Sequence, residues 1–205
     1  MNIGVLFSSK DIADKFVNTL CKKSVYNQKT FLRDNVIKIE LLNDVLFVYV
    51  CGVGQNNAII GCSELYNEFN CRRIKSIEPC SWLHSKDSIQ VGSIFEFNNN
   101  IINYDFKLKP LRYSYDDCKV SNYSECKIED NLLMTCNDEM SSSEVLDNLN
   151  LKWQRYSNIF ADTNGYAVLA YCKEKCIFHK IIRFVVGYSY SLDDVDFDKL
   201  VDYFI

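Results

Sequence analysis

Short apolar runs alternate with stretches of helical period along the chain. Ile3 to Phe7 is apolar and is bounded by Ser8-Ser9-Lys10, which predicts a strand. From Asp11 the apolar positions Ile12, Phe16, Val17 and Leu20 fall on one helix face, with Ser9 or Asp11 as the cap. Val36 to Ile39 and Val45 to Cys51 predict two strands joined by a turn at Asn43-Asp44. Gly52-Val53-Gly54 follows at once, and from Asn56 the pattern Ala58, Ile59, Cys62, Leu65, Tyr66, Phe69 is an amphipathic helix. Ile74 to Ile77 predicts a short strand stopped by Pro79.

Farther on, Ile94 to Phe97 and Ile101 to Phe106 predict a hairpin around Asn98-Asn99-Asn100. Residues 107–129 are polar and tyrosine-rich without a period, and are expected to form a loop with an edge strand. Leu132 to Cys136 predicts a buried strand, and Ser143 to Leu149 opens a helix with Glu144 in its first turn. Ile159 to Ala161 precedes a helix from about Asn164 to Lys175. Cys176 to Val186 predicts the strongest strand, and Asp194 to Phe204 a terminal helix. Strands alternating with helices mean an α/β domain: a three-layer α/β/α arrangement around a largely parallel sheet, made mixed by the hairpin. No repeat or composition break divides residues 1–205, so one domain is expected. In such folds ligands sit outside the carboxyl ends of the strands. Chemistry is therefore sought after Phe7, Cys51, Ile77, Cys136, Ala161 and Val186.

Composition narrows the classes. Seven glycines and two prolines in 205 residues exclude a collagenous or linker-rich chain. A net charge of −4, with no basic run longer than Lys22-Lys23 or Arg72-Arg73, gives no electrostatic claim on nucleic acid or an anionic membrane. The apolar start is too short to target or span a membrane. Ten cysteines are scattered, several inside apolar runs where a thiol acts as a small hydrophobe. Free thiols in a chain of this kind point to the cytosol.

Several of the loops together resemble one family. Cys51-Gly52-Val53-Gly54-Gln55-Asn56-Asn57-Ala58 is similar to the glycine-containing strand-to-helix turn of nucleoside phosphorylases and nucleosidases, and Met1 to Leu6 resembles their first strand. Gln90-Val91-Gly92-Ser93-Ile94 resembles the "VGD" strand start, with Ser93 in place of Asp. Asp162-Thr163-Asn164-Gly165-Tyr166-Ala167 is similar to the "MEGxA" helix start, and Ile182-Arg183-Phe184-Val185-Val186-Gly187 to the "R-x-I-S-D" strand. The blocks run in family order over nearly the whole chain. Length and opening are most like methylthioadenosine/adenosylhomocysteine nucleosidase. The resemblance implies a homodimer that acts on purine nucleosides without a cofactor.

That chemistry uses three carboxylates: one to activate water, one to hold the ribose hydroxyls, one to assist departure of the purine through N7. Carried over by position, they fall at Ile12, Asn164 and Gly187. Asp11, Asp162 and His84 are the displaced groups that could stand in as catalytic residues. A one-residue shift at a helix start turns a side chain by about 100°, which argues against rescue by Asp11 or Asp162. The family's glycine-rich turn after Ile77 becomes Glu78-Pro79-Cys80-Ser81-Trp82-Leu83-His84, where only Ser81 survives in kind and Trp82 and Leu83 narrow the pocket. The resemblance puts Val53 and Met140 against a purine, Thr163 and Asn164 at the ribose, and Ser81, Arg183 and Gly187 around them. Arg183 reads equally as a salt bridge closing its strand, with its carboxylate partner turned into Asn164.

Other signals are weaker. Gly52 and Gly54 fit neither a dinucleotide fingerprint nor a P-loop, and a tight turn explains them. Cys172, Cys176 and His179 lack a second Cys pair, so helix packing accounts for them and no metal is expected. Two functions stand: a purine-nucleoside-binding protein that has lost its hydrolytic groups, or an active nucleosidase using displaced ones.

Overall fold

The computed structural model describes residues 1–24, 26–85, 89–97, 101–103, 131–136, 158–186 and 192–205. In chain order the described strands are β1 (Asn2–Phe7), β2 (Tyr26–Arg33), β3 (Val36–Leu41), β4 (Val45–Val50), β5 (Arg73–Ser85), β6 (Ile94–Phe97), β7 (Ile101–Asn103), β8 (Asn131–Thr135), β9 (Asn158–Asp162) and β10 (Phe178–Val185). The described helices are α1 (Lys10–Lys23), α2 (Gln55–Asn67), α3 (Gly165–Glu174) and α4 (Phe197–Phe204). The strands form one mixed sheet in the order β2-β3-β4-β1-β5-β9-β8-β7, with β10 joined to the first part of β5 and β6 joined to β10.

Residue alternation on β1 explains the layers. Ile3, Val5 and Phe7 point to one face, where α1 and α4 pack through Ile12, Phe16, Leu20, Leu200 and Phe204. The Phe16 and Phe204 rings meet edge-on at 5.1 Å, tying these two helices together. Leu6 points to the other face, where α2 and α3 pack through Ala58, Cys62, Leu65, Val168 and Cys172. The α1 register expected from the sequence is observed: Ile12, Phe16, Val17 and Leu20 are all buried. The expected three-layer α/β/α arrangement with a mixed sheet is therefore present.

Several expectations change. Pro79 does not stop its strand; β5 runs on to Ser85. The Cys80 carbonyl accepts from the Val186 N–H on the β10 side, so the adjacent Pro79 faces the opposite edge. Pairing with β1 has already ended there at Ser76, and no ladder bond is lost to the missing N–H. The hairpin around residues 98–100 is also not the pairing found. β6 pairs antiparallel with β10, while β7 pairs parallel with β8. The mixed character comes instead from β2, β3, β6 and the β5–β9 pair.

β2 was not foreseen: its sequence is largely polar, as suits an edge strand, and it is bulged at two points. The terminal helix begins at Phe197, capped by the Asp196 side chain, after a single 3₁₀ turn at Leu192–Asp194. The expected loop at 107–129 and helix at Ser143–Leu149 lie outside the described residues.

Candidate functional site

The carboxyl ends of β1, β9 and β10 and the middle of β5 bring together a buried polar cluster. On β5, Ser76, Glu78 and Cys80 share the α2/α3 face, and on β10 Ile181, Arg183 and Val185 share it. Arg183 lies directly beside Glu78 in the parallel register of these strands. Ser8, two residues past Leu6, reaches the same place from the end of β1.

Arg183 is fully buried, and its donors are all engaged. Nε and Nη2 each lie 2.7 Å from Asp162 Oδ2, and Nη2 also donates to Asn164 Oδ1 at 2.8 Å. Nη1 donates to the Ser76 carbonyl and hydroxyl, both at 3.2 Å, and to the Ile182 carbonyl at 2.8 Å. Asp162 accepts in addition from Thr135 Oγ1 at 2.6 Å and from the Gly165 N–H at 2.9 Å. The Tyr166 N–H donates to Thr135 Oγ1, so Asp162 and Thr135 together satisfy the first turn of α3. A Cβ on Gly165 would sit 2.6 Å from Asp162 Oδ2 and 2.9 Å from Leu133, so only glycine lets the helix start this close to the ion pair.

The carboxylate partner of Arg183 is thus Asp162, and Asn164 is its neutral neighbour. That corrects the expectation that the partner had become Asn164. Asn164, at the N-cap of α3, makes no cap bond. Its amide oxygen accepts from Arg183, and its Nδ2 donates to Glu78 Oε1 at 3.3 Å.

Glu78 is the residue that sequence reasoning passed over as a site group. It is 3% exposed, and Oε2 accepts from Ser8 Oγ at 2.5 Å. Among the described residues no cation lies within ion-pair distance of it. Burial pushes its carboxyl up to about 7, against the opposing pull of Arg183 and the Ser8 and Asn164 hydrogen bonds. A signal was present in the sequence: polar Ser76 and Glu78 interrupt an apolar strand at i, i+2 on one face. Cys51, from the end of β4, faces Glu78; burial first, then that carboxyl, pushes its thiol up to about 12. That disfavours a thiolate nucleophile there.

The other sequence candidates are spread out. Asp11 is exposed on α1, while Ile12 is 2% exposed and packs into the α1/α4 core. Ser81, Trp82 and Leu83 lie in β5 rather than in a turn; Ser81 is exposed, Trp82 half-buried and Leu83 buried. His84 also stands in a strand, opposite Ile159 of β9. Thr163 is half-buried between Asp162 and Asn164.

Val53 is 65% exposed at the Gly52–Gly54 turn, whose glycines take φ of 86° and 101°. It lines a cleft of about 560 Å³ with Gln55, Asn57 and Asn103. Met140 and Gly187 lie outside the described residues. Cys172 is buried in the α2/α3 layer, and Cys176 is exposed in the turn after α3. Among the described residues no three His, Cys, Asp or Glu side chains are grouped to hold a metal ion. No described helix is long and apolar enough to cross a membrane.

This order of strands and helices is the fold of solved nucleosidases of the nucleoside phosphorylase/nucleosidase superfamily. Solved structures carry that statement. A futalosine hydrolase mutant of Helicobacter pylori superposes with a TM-score of 0.67 at 12% identity, over 99% of this chain and 94% of that one. Helicobacter pylori MTAN, a 5′-methylthioadenosine/S-adenosyl homocysteine nucleosidase, gives 0.65 at 12% identity, over 99% and 93%. The S-adenosylhomocysteine nucleosidase of Streptococcus pyogenes, in complex with 5-methylthiotubericidin, gives 0.65 at 12% identity, over 100% and 89%. No protein-family model and no curated protein sequence matches the chain.

Proposed function

We propose that this protein binds purine nucleosides where the carboxyl ends of β1 and β9 meet the middle of β5, and lacks the hydrolytic power of the nucleosidases it is built like. The supporting observation is the engagement of the polar cluster. Asn164 holds no charge and has its amide bound between Arg183 and Glu78, and both oxygens of Asp162 are taken by Arg183, Thr135 and the α3 backbone. Asp11 faces solvent on α1 and not this cluster. Removing general acid and base groups costs roughly 10²–10⁴ in rate each. The cytosol and a homodimer paired through α2 belong to the same reading, which Ile59 and Ile60 support by standing exposed on that helix.

One observation favours the second reading, an active nucleosidase. A carboxyl near 7 is poised for proton transfer at neutral pH, and Glu78 has that property. The two readings separate on adenine release from methylthioadenosine, followed with a coupled assay. Release at background rate supports the binding protein. Turnover on the order of 1 s⁻¹, ordinary for an enzyme, sinks it and makes Glu78, rather than Asp11, Asp162 or His84, the first group to replace.

A further inference from the structure

The described thiols differ in what they meet. Cys51 donates to the Gly52 carbonyl at 3.1 Å, Cys71 to the Phe69 carbonyl at 3.9 Å and Cys136 to the Met134 carbonyl at 3.8 Å, all local contacts. Cys62 and Cys172 meet each other, hydrogen-bonded thiol to thiol between α2 and α3. The helix registers put them there. Ala58, Cys62 and Leu65 recur at i, i+4 and i+7 on α2, and Val168 and Cys172 at i and i+4 on α3, so each cysteine falls in the stripe its helix buries. Gly61, one residue earlier, faces the sheet, where a Cβ would lie 2.6 Å from Leu6 and 3.0 Å from the Cβ of Cys51. That close approach seats α2 on the sheet, and Cys62, about 100° farther round the helix, turns to α3. Both thiols are fully buried.

We infer that Cys62 and Cys172 are a redox pair, closing under oxidation to a disulfide that staples α2 to α3. The step is thiol–disulfide exchange with a small disulfide as oxidant. One protein thiol gives up its proton and attacks the small disulfide; a mixed disulfide forms, and one small thiol leaves with that proton. The other protein thiol then attacks the protein sulfur of the mixed disulfide, and the second small thiol leaves with the second proton. Two protein thiols are oxidised and one small disulfide is reduced to two thiols. Because the second attack is between groups already in contact, the mixed disulfide does not persist.

The bond is a response to oxidation and not a resting state. The adjacent Cys172 thiol first, and burial second, push the Cys62 thiol up, and a thiol that keeps its proton is a slow nucleophile. Closure also waits on a transient parting of the two helices that admits the oxidant. Among the described residues no third ligand stands by to make the pair a metal site. Cys51, packed against Gly61, is the competing partner for Cys62, but its thiol is turned to the Gly52 carbonyl. Neither thiol of the pair belongs to the polar cluster around Arg183, so this inference is independent of nucleoside binding.

The test incubates the folded wild type with glutathione disulfide, alkylates the remaining thiols in denaturant, digests the protein and maps linked peptides by mass. A Cys62 peptide joined to a Cys172 peptide, lighter by two hydrogen atoms and parted again by dithiothreitol, is the expected result. The staple closes a loop of about 110 residues in the unfolded chain, so the oxidised protein should melt on the order of 10 °C above the reduced one. Cys62→Ala and Cys172→Ala should each abolish the link and the gain, whereas replacing the exposed Cys176 by alanine should leave both. Should either core variant fail to fold, the wild-type map and melting curves decide by themselves. Alkylation of both Cys62 and Cys172 after the exposed Cys176 has been oxidised overturns the inference. So does a link from Cys62 to Cys51 or to any other cysteine, and so does a Cys62–Cys172 link that leaves the melting temperature unchanged.

Discussion

Glu78 makes the stability of this protein depend on pH in a direction opposite to that of most carboxylates. An ordinary glutamate ionises near 4.5, whereas burial holds this one to about 7 in the folded state. The folded protein therefore keeps a proton that the unfolded chain releases. The stabilisation is fully present below about 4.5 and is lost as pH rises through 7. Each pKa unit between the two states is worth about 1.4 kcal/mol, so the gap amounts to about 3.5 kcal/mol, of which about 2.5 kcal/mol remains at pH 5. Other groups titrate over the same range, and the comparison with Glu78→Gln cancels them.

The glutamine fits the same space. Its carbonyl accepts from Asn164 Nδ2, and its amide donates to Ser8 Oγ, which rotates to accept; the Ser8 backbone N–H, which also donates to the carboxylate, adds a cost that is the same at both pH values and cancels in the comparison. Urea unfolding of both proteins at about pH 5 and about pH 8.5 measures the difference, with the slopes checked for constancy. The variant is expected to gain about 2.5 kcal/mol on the wild type between the two pH values. A difference that does not change with pH refutes the argument that Glu78 is buried without a cation.

Three further outcomes follow from the structure. Asp162→Asn leaves Arg183 buried without its counter-charge and should cost about 3–5 kcal/mol, read as a fall in urea midpoint; a loss under about 1 kcal/mol would show that the pair is not what holds the strand ends together. Gly165→Ala places a methyl 2.6 Å from Asp162 Oδ2 and should cost about 1–3 kcal/mol, measured by thermal unfolding, while alanine tolerated without loss would mean that the start of α3 can move away. Ile60 is 53% exposed on α2, and if that helix pairs two copies, Ile60→Asp should convert a dimer to a monomer in light scattering; a monomeric wild type counts against the homodimer.

Elements with a clean period were legible from the chain alone. The 3.6-residue repeat of Ile12, Phe16, Val17 and Leu20 placed α1 and its buried face, and the runs read as strands at residues 3–7, 45–51, 132–136 and 176–186 placed four strands of the sheet to within two residues at either end. The alternation of strands and helices was enough to predict three layers, because each apolar face must find a cover. Where period was absent, the reading failed for local reasons. β2 is an edge strand with a polar sequence, and Pro79 reads as a stop in the sequence because its effect depends on whether its missing N–H faces a neighbour.

Pairing and polar contacts were decided only by the tertiary fold. Two short strands separated by three asparagines suggested a hairpin, yet β6 is bonded to β10 and β7 to β8. Register between distant segments is set by which apolar faces can be covered together, and nearness in sequence does not determine it. The same holds for the buried cluster. That Asp162 and Asn164 lie near Arg183 could be suspected from the helix start and the strand. That Asp162 pairs with Arg183 while Asn164 turns to Glu78 depends on how β5, β9 and β10 lie side by side. Glu78 looked like a residue before a proline at the end of a short strand, and became a buried carboxyl because β5 continues past it and the ends of β1 and α3 close around it. Sequence period determines which face of an element is buried, but the environment of a charged group inside that face is created by neighbours far away along the chain.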